Sequence, residues 1–94
     1  MRDYELTILV PASLSEADLE KEQSKIAQLL KKSSVKVTRE AKATKKPLAY
    51  EIGKIREGYY LYYELEMGPE TVAELDKLIK MEENVMRHLI VKRA

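Results

Sequence analysis

Glu64 and Glu66 stand two residues apart in a strand-like run, so both carboxylates point the same way. Such a pair is the raw material of general acid–base catalysis or of a hard-metal site. Nothing near them supplies the rest of either. The chain has one histidine, His88, and no cysteine, which removes a thiol nucleophile, a cysteine zinc site and a shared His/Cys metal site together. No nucleophile motif with its flanking glycines occurs, and Gly53, Gly58 and Gly68 are too scattered to cradle a phosphate. Glu64 and Glu66 read as solvated strand-face residues and His88 as a strand residue of no special chemistry. Catalysis is therefore disfavoured and no cofactor is implied.

Binding chemistry is better represented. The net charge of +1 conceals a division along the chain: residues 1–34 carry −1, residues 35–58 carry +4, residues 59–86 carry −5 and residues 87–94 carry +3. Basic groups gather around a hairpin, with Lys42, Lys45, Lys46, Lys54 and Arg56, and again at the end, with Arg87, Lys92 and Arg93. A surface polarised in this way suits an anionic partner such as RNA. Tyr60 and Tyr62 share one strand face and offer rings on which bases can stack. Glu5, Glu64 and Glu66 on the same face repel phosphate, which favours cross-strand packing or a protein partner there.

The elements that must position these groups follow from periodicity. Tyr4, Leu6, Ile8 and Val10 alternate with polar positions as in a half-buried strand, which Pro11 ends. Ser13 or Ser15 caps a helix running to about Lys32, with Leu19, Ile26, Leu29 and Leu30 at helical spacing. A second strand opens at Val35, is interrupted between Lys42 and Pro47, and resumes over Leu48 to Ile52. Pro47 marks an edge or a bulge. A turn over Gly53 to Gly58 leads into the most strand-like segment, Tyr59 to Met67, expected at the centre of the sheet. Pro69 opens a second helix ending near Met81, with Val72, Leu75, Leu78 and Ile79 as its stripe, and Met86 to Lys92 forms a last strand of undetermined register.

The order βαββαβ in one domain, 1–94, folds most simply into an α+β ferredoxin-like sandwich, a four-stranded antiparallel sheet with two helices on one face. Tyr59, Leu61, Tyr63 and Leu65 join the first strand's apolar residues under the helices. Glu5, Thr7, Leu9, Tyr60, Tyr62, Glu64 and Glu66 are left on the open face, with Leu9 as exposed apolar area. The start of the chain has no apolar leader and no segment approaches bilayer length, so a cytosolic protein with no membrane partner is expected.

Three segments carry a resemblance: Met1-Arg2 with Tyr4-Glu5; Lys46 to Ile52, centred on Leu48-Ala49-Tyr50, with Glu57-Gly58-Tyr59-Tyr60; and Asn84 to Lys92. Together the chain resembles the bacterial small-subunit ribosomal protein six family. The resemblance implies a structural protein of the ribosome that binds the central domain of small-subunit ribosomal RNA together with small-subunit ribosomal protein eighteen, with no cofactor and no small-molecule substrate. On that basis Arg2, Lys45, Lys46, Lys54, Arg56, Arg87, Lys92 and Arg93 are the RNA candidates, and Leu48, Tyr50, Tyr60 and Tyr62 the protein-interface candidates. Two other classes stay open: a free-standing single-stranded RNA binder that stacks bases on Tyr60 and Tyr62, and a small regulatory or hydrolytic domain with a metabolite pocket.

Overall fold

In the computed structural model, which describes residues 2–52 and 55–93 and only the backbone of residues 49–52 and 55, seven elements follow one another. They are β1 (Arg2–Pro11), α1 (Glu16–Lys32), β2 (Lys36–Glu40), β3 (Thr44–Ile52), β4 (Ile55–Met67), α2 (Pro69–Lys80) and β5 (Arg87–Lys92). The α+β ferredoxin-like sandwich is the architecture observed, with β4 and β1 central, β5 beyond β1, and β2 and β3 both paired to β4.

The second expected strand is thus two strands, which brings the sheet to five. Lys36 to Glu40 pairs with the 63–66 end of β4, and Thr44 to Pro47 with the 57–60 end. The register shifts between Val37 and Arg39, and the edge loosens over residues 41–43 before pairing resumes. The break therefore falls before Lys45, Lys46 and Pro47, not across them. Pro47 sits opposite Glu57 on this edge, followed by a second irregularity before Ile52 meets Ile55, which fits an imino acid that has no N–H to give. The later part of the expected turn is strand, because β4 begins at Ile55 and takes Gly58 inside it. A Cβ on Gly58 would lie 2.5 Å from Leu9 Cδ1. Its absence lets Leu9 settle over the backbone, so Leu9 is buried although it belongs to the open face, correcting the expectation that it is exposed.

Helix α1 is capped by Ser15, whose Oγ accepts from the Asp18 N–H at 3.1 Å. Glu16 and Asp18 lie in its first turn and Lys31 and Lys32 in its last, each matching the helix dipole. Pro69 starts α2. Beneath the helices, Tyr4, Leu6, Ile8, Val10, Leu61, Tyr63 and Leu65 of the sheet close on Ile26, Leu30, Leu75 and Ile79, with Tyr59, Leu19, Leu29 and Val72 packed at the margin. Burial pushes the pKa of the Tyr63 phenol upward. One residue of α1's buried face is charged: Glu22 is 2% exposed, accepts from Asn84 Nδ2 at 2.9 Å and pairs with Lys25 at 3.6 Å, tying the connection after α2 to α1.

β5 pairs antiparallel with β1 through Tyr4↔Lys92, Leu6↔Ile90 and Ile8↔His88, which puts Ile90 and His88 on the helix side and Arg87, Leu89 and Val91 on the open side. Leu61→Ala, at a fully buried position, is expected to cost about 2–5 kcal/mol by urea denaturation. Leu89→Ala, at a residue 61% exposed, should stay within about 0.5 kcal/mol.

Candidate nucleic-acid and protein interface

The open face is best read in rows across the strands. Toward the hairpin end, Lys46 pairs with Gly58, and the next open-face row holds Thr44, Tyr60, Leu9 and Arg87. The middle row is Tyr62, Thr7 and Leu89. Toward the other end come Arg39, Glu64, Glu5 and Val91, and then Lys36, Glu66 and Asp3.

This arrangement divides the basic candidates. Lys45, Lys46 and Arg56 are exposed on the hairpin, and Arg87 lies in the adjoining rows. Arg2 and Lys92, also exposed, sit at the opposite end of the sheet. Five residues of strand, about 17 Å, separate Arg87 from Lys92. Lys54, and the side chain of Tyr50, lie outside the described residues. Leu48 is half-buried on the edge strand β3, and Tyr60 and Tyr62 are half-buried on the open face.

Arg93 is drawn into the sheet. Its N–H continues the β1–β5 ladder to the Asp3 carbonyl at 2.9 Å, and its guanidinium turns onto the face, 2.7 Å from Glu64 Oε1 and 3.5 Å from Glu5 Oε1. Arg39 reaches Glu64 Oε2 at 3.2 Å, and Lys36 lies 3.6 Å from Glu66. The carboxylates expected to repel a partner are therefore compensated in place. Two like-charge cross-strand pairs, Glu5↔Glu64 and Asp3↔Glu66, create the need, since facing like charges destabilise a sheet. Tyr62 completes the cluster by donating its hydroxyl to Glu5 at 2.9 Å. Burial, and then that bond, raise the phenol's pKa. Tyr62 is held at its hydroxyl, and the Lys46 ammonium stands 5.9 Å from the Tyr60 ring centroid, within cation–π range.

In the same geometry Glu64 and Glu66 each face a cation. Among the described residues no group of three or more histidines, aspartates and glutamates is placed to hold a metal. A groove between α1 and the β2–β3 connection, lined by Glu16, Leu19, Glu20, Glu40 and Lys42 among others, contains neither histidine nor serine. His88 has a role that sequence reasoning missed: on the helix side its Nε2 meets Asp76 Oδ1 of α2, whose other oxygen lies 3.2 Å from Lys80 Nζ. The only signal available was an Asp–Lys spacing of four on α2, which says nothing of β5.

A ferredoxin-like sandwich with a basic hairpin and a neutralised sheet face is the class of protein that the fold and this surface define. Comparison with known proteins specifies which kind. The family model described as ribosomal protein S6 matches residues 3–92. Small ribosomal subunit protein bS6 of Symbiobacterium thermophilum is 36% identical over 94 residues, and that of Desulforamulus reducens 32%, each alignment covering 100% of this chain and 99% of the relative. The crystal structure of 30S ribosomal protein S6 from Thermotoga maritima superposes with a TM-score of 0.89 at 19% identity, covering 98% of this chain and 87% of that one. The C-terminal domain of the MgtC protein from Mycobacterium tuberculosis shares the fold at a TM-score of 0.62 and 9% identity. The chain belongs to the ribosomal protein S6 family, a family of structural, non-enzymatic proteins.

The hydrogen bond from His88, and then that from Lys80, hold the Asp76 carboxyl below its usual pKa. A group depressed in the folded state stabilises above its unfolded pKa, about 4, and that contribution disappears as pH falls through the lowered folded value. Asp76→Asn should therefore flatten the acid limb of urea midpoints measured from pH 5 down to pH 2, with its largest difference from the parent at the upper end of that range.

Proposed function

We propose that this protein is a structural constituent of the bacterial small ribosomal subunit, acting in the cytoplasm as part of the ribosome, and that it binds the central domain of small-subunit ribosomal RNA together with small-subunit ribosomal protein eighteen. Family membership carries the ribosomal part of this reading. For the RNA part, the supporting observation is the convergence of Lys45, Lys46, Arg56 and Arg87 on one end of the sheet. Lysine and arginine there meet phosphates, which set position and affinity without reading sequence. Lys54 belongs to the same hairpin by sequence, and Arg2 and Lys92 offer a second, separate patch.

Leu48, Tyr50, Tyr60 and Tyr62 are assigned to the protein neighbour. Of these, Tyr60 adjoins the basic end directly, so RNA and protein eighteen would meet along one border. With acidic charge concentrated over residues 59–86, the isolated chain is a weak RNA ligand, and the neighbour supplies further basic surface.

The test is a mobility-shift titration of the central-domain RNA across a salt series, with and without protein eighteen. Tight, salt-sensitive binding that requires both proteins is expected, whereas equal affinity without the partner would remove the coupling. Lys45→Ala with Lys46→Ala should weaken binding and flatten the log–log salt slope by about 0.7–0.9 for each phosphate no longer neutralised. Tyr60→Leu with Tyr62→Leu should spare RNA affinity far more. The reverse ranking would favour single-stranded RNA stacked on the sheet.

A further inference from the structure

Along α1, Glu16, Leu19, Glu20 and Gln23 recur at three- and four-residue spacing and so form one stripe of the helix. That stripe faces the β2–β3 connection across a groove of about 630 Å³. The far wall is low because Ala41 and Ala43 flank Lys42 there, and the Ala41 N–H donates to the Tyr62 carbonyl at 3.0 Å, which ties the connection to the sheet. Glu40 belongs to the same wall. It stands opposite Tyr63 in the β2–β4 ladder and therefore on the helix side. The lining thus carries three carboxylates, Glu16, Glu20 and Glu40, against one ammonium, Lys42, a net charge of −2. All three carboxylates are exposed, and none makes an ion pair among the described residues. On the open face, by contrast, Glu5, Glu64 and Glu66 each have a cation within 3.6 Å. A second polar group is unsatisfied on this side of the sheet: the Tyr63 hydroxyl is buried with no hydrogen-bond partner among the described residues, and the charge of Glu40 adds to burial in opposing its ionisation.

We propose that this groove is an interaction site for a protein partner, and that its occupant is an extended segment bearing lysine or arginine at alternate positions. Charge selects the class of partner. An acidic lining repels phosphate and so excludes RNA, whereas a cationic segment finds carboxylates that no cation of this chain has engaged. Spacing selects the conformation. Glu16 and Glu20 are separated by about 6 Å along the helix axis, close to the roughly 6.6 Å between same-side residues of an extended chain. Successive cations of such a segment can therefore meet successive carboxylates, while Leu19 and the two alanines offer apolar surface to their aliphatic stems. Lys42 rejects a cation at its own position, which helps to set the register. The inference goes beyond the RNA-binding reading and does not depend on it.

The probe is a short, labelled peptide of alternating arginine and alanine, titrated into the full chain and followed by fluorescence anisotropy and by amide chemical shifts. Saturable binding is expected, with the shifts concentrated in residues 16–23 and 40–43. Glu20→Gln with Glu40→Gln should weaken binding about five- to tenfold through the loss of two exposed ion pairs. Glu74→Gln with Glu83→Gln makes the same change in net charge at exposed positions outside the groove, and should weaken it less than about twofold because salt screens distant charges. Ala41→Leu keeps every charge and fills the groove, so it too should weaken binding. Equal losses from the two glutamine pairs, or full affinity in Ala41→Leu, would overturn the inference. Displacement of the peptide by spermine at equal total positive charge would also overturn it, by assigning the groove to a small polycation. Should a variant fail to fold by circular dichroism, the shift map of the parent protein decides: shifts concentrated in the groove support the site, and shifts spread over all acidic surfaces, or none at all, refute it.

Discussion

Every other element takes its position from β4. Its thirteen residues pair with β1 along one side and with β2 and β3 along the other, so no second strand of the described sheet has so many partners. Strict alternation then sorts its side chains: Tyr59, Leu61, Tyr63, Leu65 and Met67 toward the helices, Tyr60, Tyr62, Glu64 and Glu66 toward the open face. The apolar half drives the fold, and the polar half determines what the finished surface can touch. Because the period is two, the requirements cannot be met separately: a register that buried Tyr62 would expose Tyr63.

That coupling explains why a like-charge ladder is tolerated. Aligning the apolar residues of β1 with those of β4 forces Glu5 opposite Glu64 and Asp3 opposite Glu66. The repulsion is offset by recruiting cations from the periphery, including one from beyond the last strand. A residue that looks from its neighbours like part of a basic tail is thereby engaged inside the sheet.

The elements themselves were legible because each is marked by local chemistry: alternation in β1 and β4, Ser15 and Pro69 at helix starts, apolar stripes at 3.6-residue spacing. The failures share one cause, which is dependence on a partner distant in sequence. Leu9 reads as exposed until Gly58 is placed beneath it, and the buried Glu22 takes its hydrogen bond from Asn84, 62 residues further on. The break in the edge strand was anticipated, but its place was set by pairing with β4 and not by Pro47. For the site, the excess of basic residues was visible in the sequence, whereas its division between two ends of the sheet required the β1–β5 register. The resemblance to a known family supplied the ribosomal role, which no residue pattern alone contains.

The pairing of β1 with both β4 and β5 also constrains the order of events when the chain is made. β1, the first of the described strands, finds its two neighbours only at residues 58–67 and 87–92. Its apolar face has no local hairpin to shelter it, and closing so long a loop is slow compared with forming a helix. Completion of the sheet is therefore tied to emergence of β5, and until then β1 depends on whatever else can cover Leu6, Ile8 and Val10. The sheet order thus leaves both edges of β1 without a strand partner while the intervening α1, β2 and β3 are being made.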